Sequence, residues 1–180
     1  MSYVKYCLLG FLLILSGCQE ITDDLKASSD DQRPEVTAGS VGPSVGQQAP
    51  DFTVTDSQSI SHTLSSELAL ADGVMLYFTM WCPTCDSHMG HIRSNLVSDF
   101  PNVTFLIVDY VTGSVAASRA SQLANGYASF TVLADTDLAL FDTFGGSMGA
   151  TVIIDSSGTV VLNEDYKNGS KVRSVLETLP

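Results

Sequence analysis

Two cysteines separated by two residues, in the tetrad Cys82-Pro83-Thr84-Cys85, are the groups whose type and spacing most directly imply chemistry in this chain. Thiols this close can cycle between a dithiol and a disulfide by exchange with an outside sulfur pair. The reactive form is the thiolate, and a free cysteine with a pKa of about 8.5 supplies little of it at neutral pH. The surrounding sequence supplies help. GVMLYFTM, residues 73–80, is a near-continuous apolar run of the kind expected for a buried central strand. Residues from Pro83 to about Val97 read as a helix, so Cys82 stands at a helix N-terminus, where unpaired N–H groups and the helix dipole favour negative charge. Pro83 suits the first turn because it has no N–H to leave unsatisfied. Cys85, one turn on and pointing inward, is placed to attack a mixed disulfide formed at Cys82. Cys82 is accordingly the attacking thiol and Cys85 the resolving one.

Other chemistries use the same residues. A purely structural disulfide is one. A zinc ribbon is disfavoured because no second C-x-x-C pair exists. Cys82, Cys85, His88 and His91 are spaced by three with Met89 among them, and thiolate with imidazole suits copper(I) or zinc. Steps of three on an α-helix turn about 300° each, however, so one ion cannot collect all four. Cys85 with His88 remains the pair that could contribute. The simpler expectation for His88 and His91 is a solvent-facing position on the helix, with His88 alternatively tuning the thiols by its charge. The expected site is a redox-active Cys82–Cys85 pair with no metal and no bound organic cofactor.

The elements that must position the pair alternate along the chain. FTVTD and SISHTL read as a first hairpin-like region, VTFLIVDY as a second buried strand, SVAASRASQLA as a helix and FTVLAD as a short strand. TDLALFDTF is then a helix capped by Thr136 or Asp135, TVIID-SSG-TVVLN a hairpin turning at Gly158, and KVRSVLETL a closing helix. This alternation implies an α/β layer fold, a central mixed sheet with helices on both faces, over residues 45–180.

The N-terminal region has another logic. Lys5 precedes the apolar run CLLGFLLIL, which is followed by Leu15, Ser16, Gly17 and Cys18. Residues 1–17 read as a signal peptide, its run too short to span a bilayer comfortably. The four residues ending at Cys18 resemble the bacterial lipobox, whose cysteine becomes the lipidated first residue of the mature protein. That resemblance implies a lipid anchor at Cys18 in the bacterial cell envelope, on the periplasmic face. Gln19 after it, rather than Asp, points to the outer membrane where the cell has one. Residues 18–44 are acidic and then rich in Gly and Pro, a composition that reads as a flexible tether. Processing would remove Cys7 and consume the sulfur of Cys18, leaving Cys82 and Cys85 as the thiols of the mature chain. The balance of 8 basic to 20 acidic residues, a formal charge of -12, argues against nucleic-acid binding.

The stretch YFTMWCPTC resembles the FW-x-x-WC-x-x-C signature of thioredoxin-like proteins of the TlpA/ResA type, within the redoxin (AhpC/TSA) group. The likeness runs from VGQQAPDF through FTVLADTDLALFDTFG to TVIIDSSGTVV, and Trp81 matches the Trp that shields the first cysteine. It implies a thioredoxin-like fold and thiol-disulfide exchange with the cysteines of exported proteins, in the reducing direction. Electrons would come from a membrane thiol donor. The site-shaping residues would be Trp81, Pro83, Thr84 and Ala150. Three departures stand out. Ala150 occupies the place of the family's cis-proline, and a trans peptide is expected there. His88 and Gly90 replace the Glu and Pro that commonly follow the motif. The strand 73–80 carries no acid to serve as proton acceptor for the second cysteine. The alternative enzyme is a peroxiredoxin, whose motif P-x-x-x-T-x-x-C is matched by Thr79 and Cys82, with Met75 in place of the proline and Gly149 in place of its arginine.

Overall fold

The computed structural model describes residues 36–180; the segment 1–17 read as a signal peptide, Cys18 and most of the segment read as a tether lie outside the described residues. Seven strands and five α-helices follow in the order β1 Thr53–Thr55, β2 Ser61–Thr63, α1 Leu64–Leu68, β3 Gly73–Thr79, α2 Pro83–His91, β4 Val103–Asp109, α3 Val115–Ala124, β5 Thr131–Ala134, α4 Ala139–Phe144, β6 Ala150–Asp155, β7 Val160–Asp165 and α5 Ser170–Leu176. The main sheet has the order β5-β4-β3-β6-β7. β3, β4 and β5 run parallel, with β6 antiparallel to β3 and β7 antiparallel to β6. β1 and β2 form a separate antiparallel ribbon. The expected mixed sheet with helices on both faces is therefore the observed architecture, and it is thioredoxin-like.

β3 is the central strand and is buried along its whole length, as its unbroken apolar run requires. Alternation divides it between two layers. Met75 and Tyr77 join Met89, Ile92, Leu96, Val172 and Leu176 on the side of α2 and α5. Val74, Leu76 and Phe78 join Leu64, Leu140 and Phe144 on the side of α1 and α4.

Local departures from the expected elements have physical reasons. The second strand of the first ribbon stops at Thr63, because Leu64 turns in to bury its side chain and opens α1. The helix expected from Pro83 to Val97 holds its length but changes its winding. Past His91 the segment Ile92–Leu96 is a π-turn, with the Val97 N–H bonded to the Ile92 carbonyl. α4 starts at Ala139, later than expected. Asp135 still serves it, since its carboxylate accepts the N–H groups of Leu140 and Phe141. Residues 36–180 form one compact unit. Residues 39–48 close a loop through the Gly39 to Gly46, Gly42 to Gln48 and Gln48 to Ser40 backbone bonds, and Asn163 donates to the Pro43 carbonyl. Among the described residues no helix is long and apolar enough to cross a membrane.

Candidate active site

The cysteines sit where β3 gives way to α2, at the carboxyl end of the parallel strands. Cys82 is the N-cap of α2, with φ −88° and ψ 165°, and its sulfur accepts the Cys85 N–H at 3.2 Å. Pro83 follows as the first helical residue, where its missing N–H costs nothing. The chain reaches this geometry by a left-handed residue at Trp81, φ +59°, held by a bond from the Trp81 N–H to Thr79 Oγ1 at 3.1 Å. Both cysteines are free thiols, with their sulfurs 2.7 Å apart. They differ in access. Cys82 is partly exposed, whereas Cys85 is fully buried.

Burial works against a charge on Cys85, but the hydrogen bonds aimed at it win. The Cys82 thiol, the backbone at Met80 and Cys82, and the Thr79 hydroxyl together hold the Cys85 thiol below its ordinary value. The pair therefore gives up its first proton more readily than an isolated thiol, and the charge is shared across two adjacent sulfurs. The arrangement lets an outside disulfide reach Cys82 alone, with the second sulfur behind it within striking distance.

A cluster of tyrosines and histidines lies behind the pair. Tyr77 Oη is 3.0 Å from His88 Nδ1 and lies near the Cys85 side chain. Burial, reinforced by the charges of Cys85 and Cys82, pushes the Tyr77 phenol far above its ordinary value. The His88 ring packs on Tyr166 at 4.8 Å between centroids, and Tyr166 Oη is 2.6 Å from His91 Nδ1. Burial pushes the Tyr166 phenol up to about 12. Burial and the neighbouring His91 lower the pKa of His88, against a backbone bond at Lys167. The expectation of two solvent-facing histidines is thus corrected: each is half-buried and committed to a tyrosine. The same commitments weaken the copper reading. No group of three or more His, Cys, Asp or Glu suited to a metal occurs among the described residues.

The remaining sequence-derived residues are placed as follows. Trp81 shares a shallow niche with Cys82, Cys85, Met89 and Tyr127; its indole N–H is buried without a partner. Thr84 is exposed on the first turn of α2. Met75 is core, and Gly90 has ordinary space around it, since a Cβ there would lie 3.9 Å from the Tyr127 hydroxyl. Ala150 opens β6 and is buried in the layer of Phe78 and Phe144, rather than beside Tyr77. No peptide bond of the described residues is cis. Gly149 has φ +84° and faces His88; a Cβ there would lie 3.5 Å from the ring. Thr79 is fully buried, accepts the Trp81 N–H and helps lower the Cys85 pKa. Tyr77, Tyr166 and Tyr127 were not singled out from the sequence. Tyr77 was nonetheless marked by a signal, a phenol at alternate spacing from Thr79 in an otherwise apolar strand.

Residues 45–163 match the model of the AhpC/TSA family. The chain belongs to the AhpC/TSA family. Its fold is similar to that of several solved structures. One is a candidate protein disulfide isomerase of Bacteroides thetaiotaomicron, at 23% identity and TM-score 0.63, covering 74% of this chain and 86% of that one. Another is DsbF of Mycobacterium tuberculosis, solved in mixed oxidised and reduced forms, at 26% identity and TM-score 0.55, covering 70% and 93%. A third is the peroxidoxin BcpB of the same organism, at 21% identity and TM-score 0.61, covering 76% and 97%. No curated protein matches in sequence. As an AhpC/TSA member with this fold the chain is a thiol-disulfide oxidoreductase of the thioredoxin-like type, and such enzymes work through a redox-active disulfide with no external cofactor.

Proposed function

We propose that the protein reduces disulfides of exported proteins by dithiol exchange, from a lipid anchor at Cys18 on the periplasmic face of the bacterial envelope. The observation that carries this reading is the partly exposed Cys82 at the head of α2 with the buried Cys85 sulfur 2.7 Å behind it. Cys82 attacks the partner disulfide, joining the partner through one sulfur and expelling the other as a thiol. Cys85 then attacks Cys82, closing the intramolecular disulfide and releasing the second partner thiol. A membrane thiol donor returns the electrons. Exposed apolar side chains at the same end of the sheet support a protein partner. Met80 follows β3, Val111 follows β4, and Met148 precedes β6, next to the Gly149 N–H bonded to the Phe78 carbonyl. The direction draws support from the TlpA/ResA-type motif, and the anchor from the Leu15–Cys18 sequence.

A peroxidase is the second reading, favoured by the family match and by the BcpB neighbour. In it, Cys82 thiolate would take the outer oxygen of a peroxide and Cys85 would resolve the sulfenic acid. Thr79, however, accepts the Trp81 N–H at 3.1 Å and bears on the Cys85 thiol. Cells carrying Cys85→Ser separate the two. The proposal expects exported proteins disulfide-linked to Cys82. An empty trap, with Cys82 readily sulfenylated by peroxide, would transfer the function to the peroxidase. Palmitate-analogue labelling is expected to disappear in Cys18→Ala, and labelling that survives would remove the anchor.

A further inference from the structure

Resolution needs Cys85 as thiolate in a place with no access to water, so its proton must leave through the protein. We propose that Tyr77 and His88 form the proton path from Cys85, with the phenol in contact with the sulfur and the imidazole as terminal acceptor. The inference rests on the dithiol reading above.

The geometry follows from the fold. Alternation along β3 turns Tyr77 toward α2, where it is fully buried with its hydroxyl close enough to Cys85 to feel the charge of that sulfur. His88 lies three residues after Cys85 on α2, so its ring falls on the same face one turn further on. The ring Nδ1 then meets Tyr77 Oη at 3.0 Å. The backbone at Lys167 lies near enough to the ring to favour its charged form. In the tautomer that can accept from the phenol, the ring carries its proton on Nε2 and leaves Nδ1 free. Gly149, whose φ of +84° favours glycine, borders the ring at a distance where a Cβ would make ordinary contact, 3.5 Å.

The groups facing His88 are consistent with an acceptor. Tyr77 comes from β3, Cys85 and His91 from its own helix, Tyr166 and the Lys167 backbone from the segment after β7, and Gly149 from the segment before β6. Burial and His91 hold the imidazole neutral to lower pH than an exposed histidine, so at neutral pH it is ready to receive a proton. The Tyr77 phenol is held strongly protonated, which suits a group that passes a proton on without storing charge.

The step balances. The Cys85 S–H proton passes to Tyr77 Oη as the Tyr77 proton passes to His88 Nδ1, giving a Cys85 thiolate and an imidazolium. The thiolate attacks the Cys82 sulfur, the Cys82–Cys85 bond forms, the bond from Cys82 to the partner breaks, and the partner leaves as a thiolate. The half-exposed imidazolium returns its proton to the solvent or to that leaving thiolate. The pair loses two electrons and the partner disulfide gains them.

Single-turnover reaction of the reduced protein with dithiobis(nitrobenzoate) tests the path, because each of the two steps releases one coloured thiol. The first release reports attack by Cys82 and the second reports attack by Cys85. Tyr77→Phe keeps the buried ring, and His88→Gln changes a half-exposed side chain, so folding does not hinge on one variant. In each, the second release is expected to slow at least about 10-fold relative to the first, with its pH profile displaced upward. The double variant should be no slower than the slower single one, since both interrupt one path. An unchanged ratio of the two rates and an unchanged pH profile in both variants would overturn the path while leaving the dithiol reading intact. Absence of the first release in the wild type would instead remove the dithiol reading and the path with it.

Discussion

Replacing Thr79 by valine removes a single hydroxyl from a position with no solvent to take its place. Thr79 is fully buried; its oxygen accepts the Trp81 N–H at 3.1 Å and its hydroxyl bonds toward the Cys85 sulfur. A hydrogen bond to a charged group contributes about 1.5–3 kcal/mol. One pKa unit corresponds to about 1.4 kcal/mol, so the first ionisation of the cysteine pair should rise by about 1–2 units. At a pH below both values the thiolate population then falls by roughly 10- to 100-fold. Valine preserves the branched shape that packs in β3. The lost acceptor for Trp81 adds a fold-stability cost of about 1 kcal/mol, which thermal unfolding of the reduced protein would register. The direct assay is a pH titration of the ultraviolet thiolate absorbance of the reduced variant beside wild type. Superimposable titrations would refute the reasoning, because they would mean that the charge on the pair is held by the helix terminus and the neighbouring thiol without the strand-end hydroxyl.

Other expectations concern the fold around the site. Asp135→Ala strips the acceptor from the Leu140 and Phe141 N–H groups and should cost about 1–3 kcal/mol in denaturant unfolding, since Leu138 offers α4 no side-chain cap. Leu76→Ala, at the fully buried centre of β3, should cost about 2–5 kcal/mol by the same measurement. His62 lies between Glu67 Oε1 at 2.7 Å and Asp56 Oδ2 at 3.2 Å. Burial opposes its charge, yet the two carboxylates outweigh burial and raise its pKa. Its contribution is therefore fully present below the unfolded value of about 6.5 and is lost as pH rises through the higher folded value. The melting-temperature gap between wild type and His62→Asn should be widest in mild acid and shrink toward alkaline pH.

Much of the fold was legible because long apolar runs and turn residues carry it. The run 73–80 could only be a doubly covered strand, and Cys-Pro at its end could only open a helix. What escaped the sequence depends on contacts distant along the chain. The short helix α1 forms because Leu64 reaches the core. The π-turn at Ile92–Leu96 extends α2 with a winding that no local residue signals. Cys82 and Cys85 were readable from spacing alone, but their supporting groups were not. His88 read as a solvated helix residue until Tyr166, seventy-eight positions later, was found packed on its ring. Tyr77 read as one more apolar residue of a strand, and its hydroxyl acquires meaning only from the sulfur above it and the histidine beside it.

The central claim is a division of labour between two sulfurs, and it is tested most directly by reacting the reduced protein with oxidised glutathione and weighing the products. The account predicts that wild type ends as the internal Cys82–Cys85 disulfide without retained glutathione. Cys85→Ser should hold one glutathione at Cys82, and Cys82→Ser should remain unmodified because Cys85 is fully buried. Stable glutathione on wild-type Cys82, or ready modification of Cys85 in Cys82→Ser, would contradict it.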